Sequence, residues 1–221
     1  KYMCSATVIY NGVEDIARHI SPKKITKESQ KSLIPKDQLN VLLIGRFNSI
    51  KGQIITIKAL NRLINSGRNI QLRLLGDVFK QQVHFLKKIK SEIKNRALKN
   101  HVEIHHFTPD PAPYYAWTDL VLMPSQKPEG FGLVAVEAMA ASKPVIGSAH
   151  GGLTEIIEPG TTGMLVQPND PQALAEAIAL YHDNPTLVAR HGQAGRRRYE
   201  GQFTERHYIK SFKAYMDTII K

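Results

Sequence analysis

From Asn40 onward the chain alternates short apolar blocks with longer stretches in which apolar residues recur at every third or fourth position. The blocks at 40–45, 70–75, 102–107, 119–123, 143–147 and 163–166 read as strands, being short and bounded by turn residues. The stretches at 51–66, 79–97, 131–141, 171–182 and 186–199 carry the helical period. Short apolar strands separated by helices of this length predict an α/β fold, a parallel sheet covered by helices on both faces. Pro171 suits the first position of its helix, with Asn169 or Asp170 as cap. A last helix is predicted over 203–220, with Thr204 as candidate cap.

The pattern is different at the start. Thr7-Val8-Ile9-Tyr10 reads as a short strand and Asn11-Gly12 as a turn. Ser21 to Asp37 is rich in Lys, Ser and Pro, has little periodicity, and reads as a linker. The division expected is a linker over 1–38, a domain over 39–201 and a terminal helix over 202–221. No internal repeat or low-complexity tract stands out.

Composition changes this picture little. A hydrophobic share of 42% over 221 residues suits a soluble globular chain. No apolar run approaches the roughly 20 residues that cross a bilayer, and the first residues lack the apolar core of a signal peptide. The sequence opens on Lys1 rather than Met, as expected of a piece of a longer chain. Cys4 is the sole cysteine, so no intrachain disulfide is available, compatible with a reducing, cytoplasmic setting.

The net charge of +11 changes more. It fits solvated helix faces, an anionic ligand such as a nucleoside diphosphate, or an anionic surface. Lys87, Lys88, Lys90, Lys94, Arg96 and Lys99 share one stretch with Phe85, Leu86, Ile89, Ile93 and Leu98, an amphipathic helix with a wet basic side. Nucleic acid is not expected as a partner, because no motif of that class accompanies the charge.

Candidate chemistry concentrates between Pro124 and Ala141. The strand over Leu120 to Met123 runs into a Pro/Ser turn; Glu129 ends the turn, Gly130 and Gly132 follow, and Glu137 lies about two turns into a helix. Helix-start amides freed for close approach by two glycines suit phosphate or another anion. Glu137 shares a helix face with Leu133 and Val134. Two carboxylates beside an anion site suit a ligand with hydroxyls and phosphates, as in a nucleotide sugar. A glycosidase is disfavoured: its carboxylates sit roughly 5–9.5 Å apart, whereas eight residues of full helix rise about 12 Å. Arg46 and Lys51 flank the first strand-to-helix turn and suit phosphate oxygens. That turn matches neither a P-loop nor the Gly-x-Gly-x-x-Gly of dinucleotide enzymes. His101, Glu103 and His105 fall on one strand face and His106 on the other, which reads as surface histidines rather than a metal site.

Glu129 and Glu137, with seven residues between them and Gly130-Phe131-Gly132 after the first, resemble the E-x7-E motif of retaining GT-B glycosyltransferases of the family 4, or group 1, type. Gly45-Arg46-Phe47-Asn48-Ser49-Ile50-Lys51-Gly52 resembles that family's basic phosphate loop. Ser142 to Ile146, then Gly151-Gly152 and Glu155-Ile156-Ile157, resemble its next strand and loop, and Val8-Ile9-Tyr10-Asn11-Gly12-Val13 resembles its crossing between domains. The resemblance implies a doubly wound, Rossmann-like parallel sheet, one half of a GT-B fold. It implies that Glu137 binds ribose hydroxyls and that Glu129, the catalytic candidate, binds hydroxyls of the donor sugar. Arg46 and Lys51 would hold the diphosphate, and backbone amides of Gly130, Phe131, Gly132, Leu133 and Val134 the sugar and diphosphate. Phe107 and Thr108 would line the base, although His106 stands where the family often has glycine. Asp77 receives no role, and Tyr114, Tyr115 and Trp117 read as helix-packing aromatics.

The same resemblance implies retaining hexosyl transfer from a nucleoside diphosphate sugar without a metal or other cofactor. It implies a missing N-terminal domain that supplies the acceptor site, with the last helix crossing back to it. This chain alone would bind donor and transfer poorly. Open alternatives are another GT-B enzyme, an epimerase or phosphorylase, or a non-catalytic module for nucleotide or anionic lipid. A cytoplasmic location is expected, with peripheral contact to the inner face of the membrane as an option.

Overall fold

The computed structural model describes residues 7–20 and 37–220. Cys4 and most of the linker read over 21–37 lie outside these residues.

Six parallel strands form one sheet: β1 (Gln38–Ile44), β2 (Asn69–Leu75), β3 (Val102–His105), β4 (Leu120–Met123), β5 (Val145–Ser148) and β6 (Gly163–Val166), in the order β3-β2-β1-β4-β5-β6. The helices are α1 (Gln53–Asn65), α2 (Val83–Asn95), α3 (Ala112–Trp117), α4 (Leu133–Ala140), α5 (Leu153–Ile156), α6 (Pro171–Asp183), α7 (Pro185–Gln202) and α8 (Glu205–Ile219). Every residue of β4 and β5 is buried, as are the five central residues of β1. Burial on both sheet faces is why these strands are apolar throughout rather than alternating.

The core lies in two layers. Val41, Leu43, Leu120, Leu122 and Ile146 join Ile57, Ile89 and Ile178 on the face covered by α1, α2 and α6. Leu42, Val121, Met123 and Val145 join Ala135, Met139, Tyr115 and Tyr199 on the face covered by α3, α4 and α7. This is the doubly wound, Rossmann-like architecture expected.

Local chemistry sets the helix ends. Asp170 caps α6 by accepting from the amides of Gln172 and Ala173 at 2.9 and 3.0 Å, and Thr204 caps α8 through the amide of His207. Asn169, the other candidate cap, takes φ 61° instead. The second helix starts at Val83 rather than residue 79, because Lys80–Gln82 form a 3-10 turn. The four-residue stretch Thr7 to Tyr10 is not a strand; one bridge, Val13 to Thr204, is all the pairing this segment makes among the described residues. It is held instead against α7. Tyr199 donates its hydroxyl to the Val13 carbonyl at 2.8 Å, and Arg196 grips Asp15 at 2.6 and 2.8 Å. That grip holds the Asp15 carboxyl below its ordinary range, the guanidinium hydrogen bond outweighing burial.

Candidate active site

The order reverses at β1, which pairs with β2 on one side and β4 on the other. Open parallel sheets bind ligands at the carboxyl ends of strands beside such a point. The loops after β1 and β4 meet there. Gly52 begins α1 at φ 77°, and a Cβ on it would lie 2.1 Å from the Pro124 carbonyl oxygen, so only glycine lets the two loops close.

Within the first loop the Asn48 side chain accepts from the amides of Ile50 and Lys51 at 2.8 and 3.0 Å, an Asx turn that aims Lys51 across the gap. The Lys51 ammonium donates to Glu129 Oε1 at 2.6 Å. The Ser125 hydroxyl donates to the same oxygen. The Glu129 side chain is only 16% exposed, so the pair is partly desolvated and stronger than a surface ion pair. The loop after β5 braces this turn. The Gly152 amide donates to the Glu129 carbonyl at 2.8 Å, and His150 donates through Nε2 to the Ser125 carbonyl at 2.9 Å. Gly151, at φ 60°, packs so tightly that a Cβ would sit 2.5 Å from the Glu129 carbonyl oxygen.

Gly130 contrasts with these braced glycines: a side chain there would meet no protein atom within 4 Å. Gly132 caps α4 at φ 107°, leaving the first amides of the helix without partners inside it. Leu133 and Val134 are exposed and half-buried at this mouth. The helix begins at Leu133, so Glu137 stands about one turn in rather than two; it accepts from the Tyr115 hydroxyl at 2.7 Å. Tyr115 has no exposed surface; burial first, and the Glu137 charge second, push its phenol well above the ordinary range, so it stays a donor.

Arg46 and Phe107 line a neighbouring recess of about 340 Å³ beyond the ends of β1 and β2, and Thr108 does not. Arg46 does not join Lys51 on Glu129; its guanidinium stacks 3.9 Å over the Phe79 ring. Phe107 lines the recess and is 70% exposed. Its amide donates to Asp77 at 3.0 Å, and His106 pairs with the same carboxylate at 2.7 Å. These two bonds, His106 first, hold the Asp77 carboxyl below its usual value. Thr108 bonds instead with the backbone of Asp110. Among the described residues there is no cluster of three or more His, Cys, Asp or Glu able to hold a metal. Glu103 takes both Arg73 and His105, and His101 bonds the Ile70 carbonyl.

Sequence reasoning gave no part to Ser125, His150 or Phe79; it read Tyr115 as a packing aromatic, which its burial bears out, without its hydroxyl bond to Glu137. The signal for Tyr115 was available in part: a tyrosine buried in a core needs a partner for its hydroxyl.

A family model described as glycosyl transferases group 1 matches residues 24–198. The chain belongs to this family. It is 29% identical over 214 residues to the lipopolysaccharide core biosynthesis mannosyltransferase LpcC of Rhizobium leguminosarum bv. viciae, covering 97% of this chain and 60% of that protein. It superimposes on a glycosyltransferase from Rickettsia africae with a TM-score of 0.87 at 27% identity, over 97% of this chain and 57% of the other. It superimposes on Anabaena Alr3699/HepE, solved in complex with UDP and glucose, with a TM-score of 0.84 at 29% identity, over 96% and 56%. This group 1 glycosyltransferase chain therefore spans about three fifths of the length of these relatives, and its sheet is one Rossmann-like half of a GT-B fold.

Proposed function

We propose that this chain is the donor-binding half of a retaining glycosyltransferase, taking a nucleoside diphosphate sugar at the carboxyl ends of β1 and β4. The observation that carries the reading is the joining of Lys51, Ser125 and Glu129 at the open mouth of α4, with Glu137 deeper on the same helix. The Alr3699/HepE complex with UDP and glucose supports the ligand class.

In this reading Glu137, oriented by Tyr115, accepts from the ribose hydroxyls. Lys51 and the first amides of α4 face the diphosphate, and Arg46 swings from Phe79 to join them. Glu129 takes hydroxyls of the sugar, keeping Lys51 as a neighbour. As the bond from the anomeric carbon to the phosphate oxygen breaks, that oxygen keeps the electron pair, and these donors stabilise its growing charge. The acceptor hydroxyl oxygen then bonds to the anomeric carbon on the face the phosphate leaves, its proton passing to the departing phosphate oxygen, and configuration is retained. In this reading Lys51, Arg46 and the helix start neutralise the diphosphate, and the donor binds without a metal ion.

The acceptor would come with the rest of the protein. Residues 1–38 would enter from that part, 39–201 form the donor domain, and 202–221 cross back. Tyr208, Ile209, Phe212 and Tyr215 on α8 are exposed, and no residue of that helix is buried. That apolar stripe supports a partner domain against it. Calorimetry of the chain with UDP-, GDP- and ADP-sugars in EDTA tests the reading: one of them binds. Binding that appears only with Mg²⁺ or Mn²⁺, or none at all, contradicts it.

A further inference from the structure

Away from the donor site, at the β3 edge of the sheet, α2 and β3 enclose an open groove of about 550 Å³. Its floor is aliphatic, formed by Ile93, Val102 and Ile104, and its rim is Lys90, Lys94 and Lys99. Ile93 and Val102 are largely buried while all three lysines are exposed. Among the described residues none of the three has a carboxylate partner; the single acid on α2, Glu92, is taken by Arg96. Lys87 extends the stripe one turn towards the helix start, so Lys87, Lys90 and Lys94 lie on one side of α2 over about 10 Å of rise. Like charges at this spacing repel one another, and among the described residues no carboxylate pairs with them.

The geometry points to a binding site for an anionic phospholipid at a membrane surface. A floor of aliphatic side chains suits an acyl chain or glycerol backbone. Lysines on flexible stems suit headgroup phosphates, because they lay their methylenes along the apolar wall while the charge stays outside. A row of unpaired lysines matches a plane of anions better than one small anion. Charge also selects against other occupants. A second copy of this chain carries +11, and residues 21–36 hold Lys23, Lys24, Lys27, Lys31 and Lys36 against Glu28 alone. Both would be repelled. The groove shares no residue with the donor site, so the inference stands or falls independently of the proposed function. It would dock this edge of the sheet on an anionic membrane without a membrane-crossing helix; none of the described helices is long and apolar enough to cross one.

Co-sedimentation of the chain with phosphatidylglycerol-containing vesicles, against pure phosphatidylcholine vesicles, tests this at about 0.1 M and about 1 M salt, where screening shortens from about 10 Å to about 3 Å. The wild-type chain should pellet with the anionic vesicles at low salt and not with the neutral ones. Lys90→Gln/Lys94→Gln/Lys99→Gln should weaken the affinity by on the order of a hundredfold, at about fivefold per lysine. Ile104→Ser should weaken it with the charge unchanged. Lys58→Gln/Arg62→Gln/Arg197→Gln, the same charge removed from other exposed positions, should bind as wild type. Circular dichroism melting confirms that each variant is folded. Absence of wild-type binding, equal losses in the two triple variants, or vesicle binding untouched by the groove variants while polyglutamate binding is lost would each overturn the inference.

Discussion

Lys51 donates to Glu129, and this pairing makes the residue informative. A cation committed to a carboxylate gains less from an arriving diphosphate than a free one, but it is already in place and costs little reorganisation. Lys51→Ala removes a charge-assisted bond to phosphate and leaves Glu129 with Ser125 alone. The expected loss for a nucleoside diphosphate is about 1.5–3 kcal/mol, with the bare nucleoside nearly unchanged. Calorimetry with both ligands checks it; equal losses, or none, would return Lys51 to a structural role. At this scale the sequence was a partial guide. Glu129, Glu137 and Lys51 stood out because residue type and glycine spacing mark an anion site. Ser125 and Tyr115 did not, since a serine in a turn and a tyrosine 22 residues from its carboxylate carry no local pattern. Arg46 was grouped with Lys51 by loop position, but the aromatic ring that holds it lies in another loop.

Among the elements, α4 decides where the carboxylates stand. Ala135, Ala138 and Ala140 are fully buried, and small side chains let α4 lie close against the sheet and α7. The partner surface is glycine: a Cβ on Gly192 would sit 2.1 Å from the Ser142 carbonyl oxygen, and one on Gly195 3.2 Å from Met139 Cγ. Gly192→Ala therefore meets backbone that cannot swing aside. It should destabilise the fold by about 1–3 kcal/mol, as overpacking does, read from the midpoint of urea unfolding. Gly201→Ala, whose Cβ would meet nothing within 4 Å, should be neutral or stabilising and serves as control. Long elements were legible from periodicity, and their ends from caps. The helices α3 and α5, with six and four residues, were not, because one turn or so is too short for a period to show. The start of α2 differs because Phe79, four residues before Val83, extends the helical period while Lys80–Gln82 turn as 3-10.

For the whole molecule, the fold class followed from strand and helix alternation, whereas the strand order depended on contacts far apart in sequence. Asp15 and Arg196, 181 residues apart, tie the first described segment to α7. The folded Asp15 carboxyl titrates below its ordinary value of 3.8, so this contribution is complete above that value and is lost as pH falls through the depressed one. Asp15→Asn should lower stability at neutral pH by about 1.5–3 kcal/mol and flatten the loss below pH 4, measured by unfolding across that range. An unchanged acid slope would show that the tie contributes nothing. In the proposed function one extended ligand lies along α4, its nucleotide towards Glu137 and its sugar towards Glu129. The most direct measurement is calorimetry of Glu129→Ala and Glu137→Ala with the nucleoside diphosphate and with its sugar. Glu137→Ala should weaken both ligands by about 1–3 kcal/mol, and Glu129→Ala the sugar form alone. Loss of both ligands in Glu129→Ala with neither lost in Glu137→Ala would contradict the account.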